Sequence, residues 1–135
     1  MLVDTLGLVL VVKVHSADIQ DRVGAMQVLD SLRKSFPRLK VIWADSGYSG
    51  QLEDWVHELR QGQGHTRIRL EIVAKIASKG FEVLPKRWII ERAFAWLGRS
   101  RRLSKDYEGL CETTEVLIYI AMICLMLRWL TTPNK

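Results

Sequence analysis

Residues 8–14, Leu-Val-Leu-Val-Val-Lys-Val, are the feature that most restricts how this chain can fold. β-Branched residues and leucine suit an extended backbone, and a strand that is apolar at consecutive positions has no face to offer water. Such a strand belongs in a sheet covered on both sides, which requires helices elsewhere in the chain.

The surrounding sequence supplies those elements. Residues 1–15 read as two short strands around Asp4-Thr5-Leu6-Gly7, where Asp and Gly tolerate turn geometry. After a loop at residues 15–18, Ala25, Val28, Leu29, Leu32 and Phe36 follow a helical period, with Asp21 placed to cap its start and Pro37 to end it. Val41-Ile42-Trp43-Ala44 is a short strand stopping at Asp45, and Gly47 and Gly50 turn the chain into a helix over about 52–60. A loop at 62–64 precedes a strand over 68–74, whose alternation of Arg and Glu with Ile, Leu and Val predicts one exposed face, as at a sheet edge. Two helices close the chain, one starting near Pro85 and one over about 112–130. This order predicts an α/β fold class, a mixed sheet flanked by helices, in one domain over residues 1–135.

Composition agrees with one globular core: 48% of residues are hydrophobic and 26% charged, unlike a disordered chain. Cys111 and Cys124 form no CxxC pair and do not cluster in sequence with His15, His57 or His65, so neither a zinc site nor a disulfide scaffold is indicated. With no signal-peptide pattern after Met1, the expected compartment is a reducing cytoplasm. The longest apolar run, 116–127, falls short of the roughly 20 residues that span a bilayer, and reads as a buried or partner-facing helix with no membrane role.

The net charge of +5 is concentrated in one place. Between residues 85 and 105, Lys86, Arg87, Arg92, Arg99, Arg101, Arg102 and Lys105 face a single acid, Glu91. The rest of the chain is nearly neutral, so the whole excess lies in one short stretch. A localised cationic patch suits an anionic polymer, most simply nucleic acid; a solvated helix face is the alternative.

Two carboxylates stand out. Asp45 ends a strand beside glycines, at the sheet edge where α/β proteins hold ligands; a turn or helix cap is the plainer reading of such a residue. Glu91 lies on a helical stripe with Arg87, Ala95, Gly98 or Arg99, and Arg102, while Ile90, Phe94 and Leu97 fall beside it toward a core. An Arg87–Glu91 surface pair would account for two of these residues and leave the surplus charge unexplained. A strand-end Asp and a helical Glu among arginines suit phosphoryl transfer with divalent metal, since hard oxygen ligands hold Mg²⁺ or Mn²⁺ and arginines hold phosphates. The tryptophans 43, 55, 88, 96 and 129 lie at apolar positions and are expected mainly in the core.

Three segments carry a family resemblance: His15-Ser16-Ala17-Asp18-Ile19-Gln20-Asp21-Arg22, Trp43-Ala44-Asp45-Ser46-Gly47-Tyr48-Ser49-Gly50, and Lys86-Arg87-Trp88-Ile89-Ile90-Glu91-Arg92-Ala93-Phe94-Ala95-Trp96-Leu97 with its continuation Arg101-Arg102-Leu103-Ser104-Lys105-Asp106-Tyr107-Glu108. Together they resemble transposases of the insertion-sequence five family, of the DDE type. The resemblance implies a ribonuclease-H-like core in which Asp45 is the second catalytic carboxylate and Glu91 the third, both holding Mg²⁺ or Mn²⁺. It implies DNA, element ends and target, as the partner.

The resemblance also implies departures. The family's first catalytic Asp lies on a central strand upstream of the opening hairpin, and that strand is expected to be lacking here. Asp4 matches the hairpin turn instead. Val23 stands where relatives usually carry an acid, Leu84 where the broader signature has Tyr, and Arg99 lies near its usual basic position. The chain is therefore expected to be a C-terminal, two-carboxylate part, inactive and marginally stable alone. Its companions would be an upstream transposase polypeptide or further copies joined through the C-terminal helix. A DNA-binding or inhibitory fragment and a decayed remnant are the other readings.

Overall fold

A computed structural model of the chain describes residues 1–32, 35, 36, 38–50, 52, 54, 56, 68–73, 86–105 and 107–132. The expectations for Pro37, Trp55, His57, His65, Leu84 and Pro85, for the loop at 62–64 and for most of the helix over 52–60 fall outside these residues. Leu52, Asp54 and Val56, which are described, are helical.

The chain divides into two compact units, Ala17–Trp88 and the pair of segments Met1–Ser16 with Ile89–Lys135. In the second of these, β1 (Leu2–Val3) and β2 (Val9–Val11) form an antiparallel hairpin. Its turn is built by Asp4, whose Oδ1 accepts the N–H groups of Leu6 and Leu8, both at 2.8 Å. Gly7 completes it at φ 84, left-handed backbone that favours glycine.

The long strand expected over 8–14 is shorter, for a specific reason. Beyond Val11 the backbone bonds to side chains: Val12 N–H donates to the Tyr119 hydroxyl at 3.2 Å and Val14 N–H to Glu115 Oε1 at 2.9 Å. Both acceptors lie on the closing helix α3 (Cys111–Thr131). Val11 and Val12, which alternate between faces, are both buried, so the chain is covered on both sides there. Val12 joins Ile118 and Met122 of α3 and Leu97 of α2 (Arg87–Gly98) in the core of this unit.

The helix α3 runs 21 residues, beyond the apolar run at 116–127, because residues 111–115 continue the helix N-terminally and residues 128–131 C-terminally. By length and composition alone it is long and apolar enough to cross a membrane, so the length argument from the sequence does not apply to the helix itself. Glu115 ties its first turns to the hairpin through Val14 and through Lys13, 3.1 Å away.

In the unit Ala17–Trp88, α1 (Asp21–Leu32) begins with Gln20 rather than Asp21 at the boundary, since the Gln20 carbonyl accepts from Val23 and Gly24. Asp21 sits in the first turn, where its charge complements the helix dipole. The strands β3 (Val41–Asp45) and β4 (Arg69–Val73) pair in parallel, Trp43 opposite Glu71 and Asp45 opposite Val73. Arg69 and Glu71 are exposed, as the alternation predicted.

The fold class is thus mixed α/β, but the described strands form two separate two-stranded sheets rather than one mixed sheet. Isolated two-stranded sheets have little stability of their own, and here helices supply the apolar cover. Among the described residues of the unit Ala17–Trp88, the buried apolar ones are Val28, Leu29, Leu32, Ile42, Leu52 and Val56.

Candidate functional site

Asp45 closes β3, so its position follows from strand alternation: Ile42, which is buried, shares one face of the pleat with Ala44, and Trp43 and Asp45 share the other, exposed face. The short 3-10 turn Ser46–Tyr48 follows at once. Asp45 occupies its N-cap position but makes no side-chain capping bond, so a helix cap does not explain the residue. Its Oδ1 accepts from the Ser46 hydroxyl at 2.9 Å, and its Oδ2 lies 3.8 Å from Arg87 Nη1. Both ion-pair partners are close to half exposed, so water and a ligand can reach them.

Trp43, Lys86 and Glu71 stand next to it. The Trp43 indole N–H donates to Glu71 Oε2 at 2.7 Å, and Lys86 Nζ lies 3.4 Å from the centre of the Trp43 ring. Lys86 holds that place from a left-handed backbone, φ 73, unusual for a residue with a side chain. Tyr48 is pushed above the ordinary tyrosine range, first by burial and then by the negative charges of Asp21 and Asp45. Two carboxylates therefore act on one partly buried hydroxyl. Neither the Trp43–Lys86 contact nor the Tyr48 environment was anticipated from sequence; the shared pleat face of positions 43 and 45 was the available signal.

Glu91 and the remaining expected cations belong to the other unit. On α2 the stripe Glu91, Ala95, Gly98 and Arg99 is exposed, as the helical period required. The core side differs from expectation: Ala93 and Leu97 are buried, whereas Phe94 is exposed. Ala93 lets the helix approach closely, and Phe94 is carried outward by a further 100° of rotation.

Arg92 turns toward its own fold. Its Nη2 donates to the Leu6 carbonyl at 2.6 Å, and its guanidinium lies 5.0 Å from the centre of the Trp96 ring. Arg102 pairs with Glu108, which raises the arginine pKa further through a hydrogen bond and charge. Arg99, Arg101 and Lys105 are exposed, with Arg101 opening a 3-10 turn, Arg101–Leu103, after the helix. Of the described tryptophans, Trp43, Trp88 and Trp129 are exposed and only Trp96 is partly covered, contrary to the expected core placement. Trp96 meets Trp129 edge-on, with ring centres 5.3 Å apart.

As hard oxygen donors, Asp45 and Glu91 fit Mg²⁺ or Mn²⁺ in kind. In number they do not: among the described residues there is no group of three or more His, Cys, Asp or Glu able to hold a metal ion. What the Asp45 region offers by itself is a carboxylate beside two cations and an exposed aromatic face, chemistry suited to a phosphate chain with a nearby base.

Comparison with known families gives one match. Residues 1–127 fit the family model described as "Transposase DDE domain". No curated protein and no solved structure matches the chain.

Proposed function

The chain belongs to the transposase DDE domain family, and from that membership we propose that it is a DNA-binding, two-carboxylate part of a catalytic domain of the insertion-sequence five type. Its function is in DNA transposition, and its partner is DNA. The observation that carries the reading is Asp45 at the carboxyl end of a parallel strand pair, with its Oδ2 3.8 Å from Arg87.

Transposition consists of two in-line phosphoryl transfers. Water attacks the phosphodiester at the element end and releases a 3′-hydroxyl; that hydroxyl attacks a target phosphodiester, forming one P–O bond as another breaks. In the proposed ribonuclease-H-like core, Asp45 and Glu91 are the second and third carboxylates, and Mg²⁺ or Mn²⁺ would supply charge stabilisation at the reacting oxygens. Among the described residues the donor set is short of a metal site, and in this proposal a further carboxylate completes it, with an upstream transposase polypeptide as its source. Lys86, Arg87, Arg99, Arg101, Arg102 and Lys105 hold DNA by its phosphates, which positions the strand without reading its sequence. The proposed setting is the bacterial cytoplasm.

The test is incubation of purified chain with labelled terminal DNA and Mn²⁺, alone and co-expressed with an upstream transposase polypeptide. The expected result is salt-sensitive binding without cutting for the chain alone, and strand transfer on complementation. Cutting by the chain alone, abolished by Asp45→Ala, would overturn the need for a further carboxylate. Absence of DNA binding at low salt would overturn the reading as a whole.

A further inference from the structure

Trp43 stands two residues before Asp45 on the exposed face of β3, about 7 Å back along the strand. The ring is 37% exposed and lies outside the buried core of the unit Ala17–Trp88. Its indole N–H donates to Glu71 Oε2 at 2.7 Å, which fixes the plane of the ring against the neighbouring strand. Lys86 Nζ lies 3.4 Å from the ring centre, and the next residue, Arg87, reaches Asp45 at 3.8 Å. Glu71 and Asp45 flank the ring with negative charge, so it suits a neutral, flat group better than a phosphate. Its present occupant is held under strain: Lys86 makes the contact from a left-handed backbone, φ 73, and a cation on an exposed ring is weakly bound.

We propose that the Trp43 ring is a platform for one unpaired nucleobase, with Lys86 as its resting occupant: the base takes the ring, and the displaced ammonium takes a phosphate of the same strand. The base must be unpaired, because within a duplex each base is already stacked between its neighbours. Stacking of a base on an aromatic ring outweighs the attraction of an exposed ring for a lysine ammonium. Lys86 recovers at a phosphate what it loses at the ring, so the exchange runs toward the bound state. Because Trp43 and Asp45 share one face of one strand, the base held on the ring sets which phosphodiester lies at Asp45. The inference rests on the DNA reading above and adds to it a preference for single-stranded DNA and a register along it.

The test uses two labelled duplexes interrupted by the same short single-stranded gap, one with bases in the gap and one with abasic sugars. Fluorescence anisotropy reads their affinity for the full chain over a salt series. The phosphates are identical, so any difference belongs to the bases. The base-bearing gap is expected to bind roughly 5- to 100-fold more tightly. Its slope of log affinity against log salt should be steeper by about 0.7, the single-strand value for one added phosphate contact, because Lys86 leaves the ring only for a base. Trp43→Ala should remove the affinity difference, and Trp43→Phe, which keeps a stacking face, should retain much of it. Lys86→Ala should make the two slopes equal while the base-bearing gap still binds more tightly. Equal affinities of the unaltered chain for the two DNAs would overturn the inference and leave the DNA reading standing, whereas failure to bind either DNA would overturn both. A base preference that survives Trp43→Ala would place the base elsewhere, and equal slopes in the unaltered chain would remove the exchange; either result overturns the proposal.

Discussion

Lys86 Nζ lies 3.4 Å from the centre of the Trp43 ring and reaches it from a backbone with φ 73. Two opposing terms meet at this residue. The cation over the ring contributes about 0.5–1 kcal/mol, while a left-handed backbone costs a residue with a Cβ about 1–2 kcal/mol. Lys86→Ala loses the cation and keeps the strain; Lys86→Gly loses the cation and releases it. The glycine variant should therefore be more stable than the alanine variant by about 1 kcal/mol, against the usual order of the two in helical surroundings. Urea unfolding followed by tryptophan fluorescence measures the difference, and equal midpoints would remove the strain from the account.

Arg92 behaves as part of the fold in unit Met1–Ser16 with Ile89–Lys135. It holds the hairpin turn to α2 through the Leu6 carbonyl and rests on Trp96. Arg92→Ala should cost about 1–2 kcal/mol, from a charged hydrogen bond and a cation–π contact in a partly exposed place. Arg99→Ala, on the exposed stripe, should change stability by less than about 0.5 kcal/mol. Thermal unfolding of the two variants separates them, and similar transition temperatures would show that the Arg92 contacts carry little.

The hairpin turn makes a parallel case. Asp4 Oδ1 receives two backbone N–H groups, and a Cβ at Gly7 would meet the Trp96 ring at 3.2 Å and the Ile89 carbonyl at 3.3 Å. Gly7→Ala combines that crowding with an unfavourable φ of 84 and should destabilise by about 1–3 kcal/mol. Asp4→Asn keeps an acceptor in place and should cost less than about 1 kcal/mol, with DNA binding unaltered. A loss of metal-dependent activity in Asp4→Asn within a complemented complex, without loss of stability, would instead give Asp4 a chemical role.

These contacts mark how far the sequence could be read. The strand stopping at Asp45, the edge strand with exposed Arg69 and Glu71, and the exposed stripe through Glu91 were legible because each follows from a local period. The early end of β2 was not, because it depends on Tyr119 and Glu115, more than 100 residues away, taking amides that a neighbouring strand would otherwise bond. Arg92 was grouped with the DNA-binding cations because charge along the chain carries no direction; its bond to the Leu6 carbonyl and its place over Trp96 distinguish it from Arg99. The tryptophans misled for a related reason, since an amphipathic ring at an apolar period can lie at a half-covered boundary as readily as in a core.

Tyr48 gives a pH dependence whose sign is fixed by its surroundings. Burial and the charges of Asp21 and Asp45 raise its folded pKa above the unfolded value near 10. The neutral hydroxyl is thus favoured in the folded state, and this contribution is fully present below the unfolded pKa and lost as pH rises through the folded one. Stability should fall on the alkaline side of about pH 10, and Tyr48→Phe should remove that part of the fall. Thermal melts of both proteins from neutral to alkaline pH are the measurement; identical alkaline profiles would mean that Tyr48 does not titrate in the folded state as its neighbours require.

Salt dependence of DNA binding tests the cationic residues one at a time. Each phosphate contact to duplex DNA adds about 0.9 to the slope of log affinity against log salt. Arg99 and Arg101 are exposed, so Arg99→Ala and Arg101→Ala should each lower that slope by about 0.9 and weaken binding alike on unrelated sequences. Arg102 is already engaged by Glu108, which offsets its charge toward DNA, so Arg102→Ala should lower the slope by less. The same pairing predicts that Glu108→Gln, by releasing Arg102, tightens binding at low salt and steepens the slope. Fluorescence anisotropy with a labelled duplex across a salt series reads all four variants. If Glu108→Gln weakened binding instead, the Glu108 carboxylate would be orienting Arg102 for phosphate rather than competing with it.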